Sequence, residues 1–176
     1  MASTKDDILG TSDYVFQRTQ QRLAGLSDDE LLWEPVHPCW SVRPADDGTW
    51  RADGSDGAGD GPFTTIAWRL WHLTVCYGSG RNAVWLGVDR GGEGFAQDGP
   101  VPATAPQALA ALDAAHAWWH DVLDALPADA WGEPLGAIAG PYGGADKASF
   151  VLHMLDEQIH HGAKLGLLRD LHRSMS

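Results

Sequence analysis

Three side chains of this 176-residue chain have the types and spacing to hold a metal ion: His72, Glu157 and His161. Glu157 and His161 stand four apart in "LDEQIHHGAKLGLLRDL", so on a helix they are neighbours on one face. At about 100° per residue, that face is the edge of an apolar arc of Phe150, Met154, Leu165 and Leu168, which Val151, Leu155, Ile159 and Leu152 continue. Asp156 and His160 fall on the opposite, polar side, and His153 sits one step outside Glu157. A carboxylate turned toward a core is costly unless its charge is compensated. A divalent metal would do that, and so would a Lys or Arg from another helix. His72 lies on a second apolar stripe, with Trp68, Val75, Ser79 and Leu86, and with Cys76 one turn on. Two imidazoles and one carboxylate are the ligand composition of an open catalytic zinc site, which leaves a position for water or substrate. The plainer alternatives are a surface Glu/His pair and a hydrogen-bonded core histidine.

A rival pair exists in "HAWWH". His116 and His120 are also four apart; His116 borders the stripe of Leu109, Leu112, Trp119 and Leu123, whereas His120 turns toward Asp113, Asp124 and solvent. Cys39, in "EPVHPCW", has no periodicity to place it. It could approach the site from a loop or be a small buried residue beside Trp40. Trp40 and Trp50 could cover a pocket mouth or pack their loop down. His153, Cys39, Arg69 and Trp68 are the candidates for surrounding the metal or touching substrate. Arg69 and Arg81 are the cations that could take a carboxylate of substrate or cofactor. His153 and His160 are otherwise expected to face solvent.

The elements that must position these groups are helical. A first apolar stripe, Ile8, Ser12, Val15, Phe16, Thr19, Leu23 and Leu26, runs through a helix from about 5 to 25. "LSDDELLWEP" comes next as a short helix with Ser27 as N-cap and Glu30 at the capping-box position. A second long helix opens at Thr64 or Thr65 and runs to about 86. A third begins near Thr104, with Pro106 in its first turn, and ends by Pro127. The last runs from about 146 to 172. Residues 35–62 and 87–103 are rich in Gly and Pro and read as loops. "RADGSDGAGDG" lacks the spacing of an EF-hand loop and reads as a mobile surface loop. "GSGRNA" matches a dinucleotide fingerprint by letter only, because no strand precedes it. No segment alternates as a strand should. Four long helices with long connecting loops, in a single domain over 1–176, point to an all-α four-helix bundle.

Charge narrows the partners. There are 24 Asp and Glu against 12 Lys and Arg, a net charge of -12. That repels nucleic acid and anionic membrane surfaces. No run of 18 apolar residues offers a transmembrane helix, and "MASTKDDILG" lacks a signal-peptide core, so a cytoplasmic protein is expected. Its two cysteines, Cys39 and Cys76, are expected to be free thiols.

"LSDDELLWEP", "TTIAWRLWHL" and "HMLDEQIHHGAKLGLLRDL" together resemble the DinB/YfiT-like superfamily of four-helix-bundle proteins over nearly the whole chain. The resemblance implies one metal ligand on the second helix, matching His72, and two from a pair four apart on the last. Many members carry His-x-x-x-His there, often with Arg-Gly-Gln after it. Glu157-x-x-x-His161 looks instead like the branch of mycothiol-dependent maleylpyruvate isomerase and related thiol transferases. That likeness implies zinc or nickel as the metal, and mycothiol or bacillithiol as a thiol cofactor that attacks a small electrophilic substrate. A metal-dependent hydrolase with the same ligands is the alternative. So is a non-catalytic metal-binding protein, for instance a homodimer joined by its Trp-rich faces, with Cys39 as a closing fourth ligand.

Overall fold

The computed structural model describes residues 4–54, 63–89 and 100–175. It is mostly helical. Helix α1 (Thr4–Leu23) buries Ile8, Ser12, Val15, Phe16, Thr19 and Leu23, and Leu26 just beyond it is also buried. This is the stripe that the 3.6-residue period gives. Helix α2 (Asp28–Leu32) starts at Ser27, whose hydroxyl accepts the Glu30 N–H at 3.2 Å. The Glu30 carboxylate does not return to Ser27 to complete a capping box. It turns inward to Arg169 instead.

The connection after α2 is not loop alone. It contains strands β1 (Cys39–Trp40), β2 (Val42–Pro44), β3 (Trp50–Ala52) and β4 (Phe63–Thr64). β1 pairs in parallel with β4, and β2 pairs antiparallel with β3. Strands of two or three residues are too short to show an alternation in sequence. The expected surface loop at 51–61 therefore begins as strand at Arg51 and Ala52, and residues 55–61 lie outside the described residues. The same holds for 90–99 of the second Gly/Pro-rich stretch.

The expected second helix is two helices, α3 (Ile66–Gly78) and α4 (Gly80–Leu86). Ser79 leaves helical geometry with ψ 121°. It stands between Gly78 and Gly80, which hold helix weakly. The buried Asn82 side chain donates to the carbonyls of Cys76 at 2.7 Å and Tyr77 at 3.1 Å. It thereby satisfies α3 carbonyls that the break would orphan. Helix α5 (Ala105–Ala125) begins after Thr104, and helix α6 (Lys147–Met175) closes the chain.

Helix α3 packs against α5 and α6, and α1 packs along α6. Leu70, Leu73 and Tyr77 of α3 share one buried core with Leu112, Ala115, Trp119 and Val122 of α5 and with Phe150, Met154, Leu165 and Leu168 of α6. Leu152 and Ile159, expected on the apolar arc of α6, are instead exposed. Among the described residues, no helix is long and apolar enough to cross a membrane.

Candidate metal centre

Helix α6 is aimed by the face it turns to α1. On that face Gln158 and Ser12 bond reciprocally at 2.9 Å, side chain to side chain and side chain to backbone. One turn on, a Cβ at Gly162 would lie 2.6 Å from the Thr19 hydroxyl, and at Gly166 3.0 Å from the Arg22 guanidinium. At Gly162 a larger residue would force Thr19 or the helix to move, whereas at Gly166 the Arg22 side chain would have to give by a few tenths of an ångström. With 158, 162 and 166 fixed against α1, the neighbouring positions 157 and 161 face α3.

Helix α3 meets them with His72. Its start is set by Thr65, whose hydroxyl accepts the Trp68 N–H at 3.2 Å. The Trp68 indole N–H donates to the backbone oxygen of Asp53 at 2.8 Å. Its ring stacks on His72, centroids 5.0 Å apart and planes 9° apart. Behind it stands Trp40, 5.7 Å away. A Cβ at Gly54, whose φ is +68°, would overlap the Trp40 ring. The small strands and the Trp68 ring thus fix the imidazole of His72.

The three expected ligands come together. Glu157 Oε2 lies 3.4 Å from His72 Nε2 and 3.2 Å from His161 Nε2. One ligand atom from each falls within 4.8 Å of the others. Atoms about 2.0–2.2 Å from a tetrahedral zinc stand about 3.3–3.6 Å apart, so this spacing fits a single ion. Burial lowers the pKa of His72 despite the raising effect of Glu157. Burial, with the charges of His72 and Arg69 next, takes His161 down to about 3. Both imidazoles are therefore neutral at neutral pH, which is the form that offers a lone pair to a metal.

Arg69 sits behind this cluster. Its guanidinium is buried, and Nη1 lies 3.3 Å from His161 Nδ1. Because a guanidinium only donates, Nδ1 accepts and the ring proton of His161 sits on Nε2, facing Glu157. A metal would take the place of that proton. Cys76 reaches the cluster from the next turn of α3, its Sγ 3.4 Å from His72 Nε2. Burial pushes its thiol up to about 12, so it is a neutral hydrogen-bonding neighbour. The sequence puts Cys76 one turn from His72 without assigning it to the site; that spacing is the signal that could have found it.

The remaining candidates separate from the centre. Cys39 is buried with its Sγ turned to the Trp40 carbonyl at 3.7 Å, and it is not among the clustered ligand atoms. His153 is exposed and lines a cavity one turn away. His160 is exposed beside Lys164. The His116/His120 pair does not form a cluster of this kind. His116 is buried and stacked on Phe16, centroids 3.6 Å apart, and His120 lies between Asp13 at 3.5 Å and Asp124 at 3.4 Å.

A family model described as the DinB superfamily matches residues 13–165. The chain belongs to the DinB superfamily. The match spans all three clustered residues of this DinB-superfamily protein. Among curated proteins and among solved structures, none matches the chain significantly.

Proposed function

We propose that this DinB-superfamily protein is a metal-dependent enzyme that joins a low-molecular-weight thiol to a small electrophilic substrate. The observation that carries the reading is the convergence of His72, Glu157 and His161, from two helices, with the spacing of ligands around one ion. The four long helices α1, α3, α5 and α6 are read as the bundle that holds them. Zinc suits the donor set, and nickel also accepts imidazole and carboxylate. When bound, such an ion supplies Lewis acidity that lowers the pKa of a thiol or water at its open position.

The chain's own groups do the rest. Glu157, within 3.4 Å of both imidazoles, would supply the one negative charge among the three ligands and so offset part of the ion's charge. Arg69 orients His161 through Nδ1. Trp68 holds His72 in plane. The Glu-x-x-x-His pair supports a mycothiol- or bacillithiol-type cofactor, by likeness to the thiol-transferase branch of the superfamily.

Elemental analysis of the purified protein beside His72→Ala, Glu157→Ala and His161→Ala tests the centre. About one zinc or nickel per chain is expected in the wild type, with loss in each variant. Full occupancy in all three variants would sink the assignment. Thiol transfer is checked by following consumption of a chlorodinitrobenzene with and without added mycothiol or bacillithiol. Turnover that is metal-dependent but indifferent to thiol would replace transfer with hydrolysis.

A further inference from the structure

A cavity of about 300 Å³ lies at the near end of the α6 stripe that carries the metal cluster. His153, Glu157 and His161 succeed one another at four-residue intervals. His153, on the cavity wall, is therefore about 6 Å along the helix axis from Glu157. Phe150 and His153 of α6 form one wall, Arg81 and Trp85 of α4 a second, and Leu135 and Tyr142 close it.

The described lining departs from the charge bias of the chain. The whole chain has two acids for every Lys or Arg, whereas among the described residues that line this cavity one is Arg and none is Asp or Glu. The Arg81 guanidinium lies over the Trp85 ring, 4.7 Å from its centre. A guanidinium held against a ring still has N–H donors that a carboxylate can take bidentately. Trp85 is also 5.3 Å from Phe150 and 6.0 Å from Tyr142. Three aromatic rings thus make an apolar surface beyond the cation.

We propose that this cavity binds a small organic carboxylate with an aromatic or similarly flat apolar body. The carboxylate sits at Arg81 and His153, and the ring lies against Trp85, Phe150 and Tyr142. The small volume and apolar wall suit such a molecule better than a sugar-bearing thiol. Its role as the electrophilic substrate rests on the proposed metal-dependent thiol transfer; its binding does not, because no clustered ligand lines the cavity.

Phenylacetate, 2-phenylethanol and phenethylamine are the probes, titrated into the full chain before and after metal removal and monitored by calorimetry and tryptophan fluorescence. Phenylacetate is expected to bind saturably in both forms, at least about tenfold more tightly than the alcohol or the amine. Arg81→Gln is expected to lose about that factor for phenylacetate and to leave the alcohol unchanged, with Arg81→Lys in between and Trp85→Leu weakening acid and alcohol alike. Equal affinity for acid and alcohol, wild-type phenylacetate affinity in Arg81→Gln, or no saturable binding would overturn the proposal. Metal content measured on the same samples separates the two readings. Bound metal without phenylacetate binding removes this one alone, and phenylacetate binding without metal at the cluster removes only the other.

Discussion

The guanidinium of Arg169 is 2% exposed and meets both oxygens of Glu30, at 2.7 and 2.9 Å. Its remaining nitrogen donates to the carbonyls of Arg22 and, at 3.0 Å, of Ala24. Those carbonyls end α1, where no helical donor is left for them. One side chain of α6 therefore fastens the end of α1 and the body of α2. Burial alone would raise the Glu30 carboxyl, but the Arg169 hydrogen bonds and charge outweigh it and lower its pKa. Glu30→Ala is expected to cost about 3–5 kcal/mol, because it strands a buried cation. Arg169→Ala is expected to cost more, since the two carbonyls also lose their donor; urea denaturation at pH 7 measures both. A smaller loss in Arg169→Ala than in Glu30→Ala would contradict the account. At this scale the sequence is half legible. Ser27 and the backbone of Glu30 form the expected cap, but the carboxylate answers to a partner 139 residues away, which no local motif can report. His72, Glu157 and His161 are legible because each lies on an apolar stripe where a polar group needs a reason.

At the scale of elements, the aim of α6 depends on small residues more than on its apolar ones. Gly162→Ala would push a methyl against the Thr19 hydroxyl, which is itself tied to the Val15 carbonyl at 2.9 Å. The expected cost is about 1–3 kcal/mol, with weaker metal retention because positions 157 and 161 move with the helix. Adding Thr19→Ala should recover most of both, and a melting series with metal analysis of the single and double variants checks it. Recovery of neither would mean that α1 does not set the rotation of α6. Helix positions are readable from period because α1, α5 and α6 each bury one stripe. The break at Ser79 escapes such a reading, since the apolar pattern continues across it while the backbone turns. The strands escape it for want of length.

For the molecule as a whole, three depressed histidines shape stability against pH. Burial takes His116 from 6.5 to about 4. Between those values the unfolded chain binds a proton at this position and the folded chain does not, so stability rises with pH through the window. The group's contribution is about 1.4 kcal/mol per pH unit. His72 and His161 act in the same direction. His116→Phe is therefore expected to flatten, not abolish, the loss of stability between pH 6.5 and about 4, as read by urea midpoints across that range. An unchanged slope would show that His116 is not buried as a neutral ring. The rival pair illustrates why the site is only partly legible. His72 and His116 are both histidines on apolar faces in sequence, and only the fold gives one a carboxylate and the other a phenyl ring.

The joint at Ser79 has a consequence for how such a protein can diversify. His72 is carried by α3 and Arg81 with Trp85 by α4, and the two pieces meet at a single non-helical residue that Asn82 underwrites with its side-chain bonds. In one unbroken helix, any change that re-aimed Arg81 would rotate His72 with it. Here α4 could be lengthened, turned or rewritten while the clustered His72 keeps its alignment. The proposed metal centre and the proposed carboxylate pocket would then be separate, independently variable modules of one short stretch of chain.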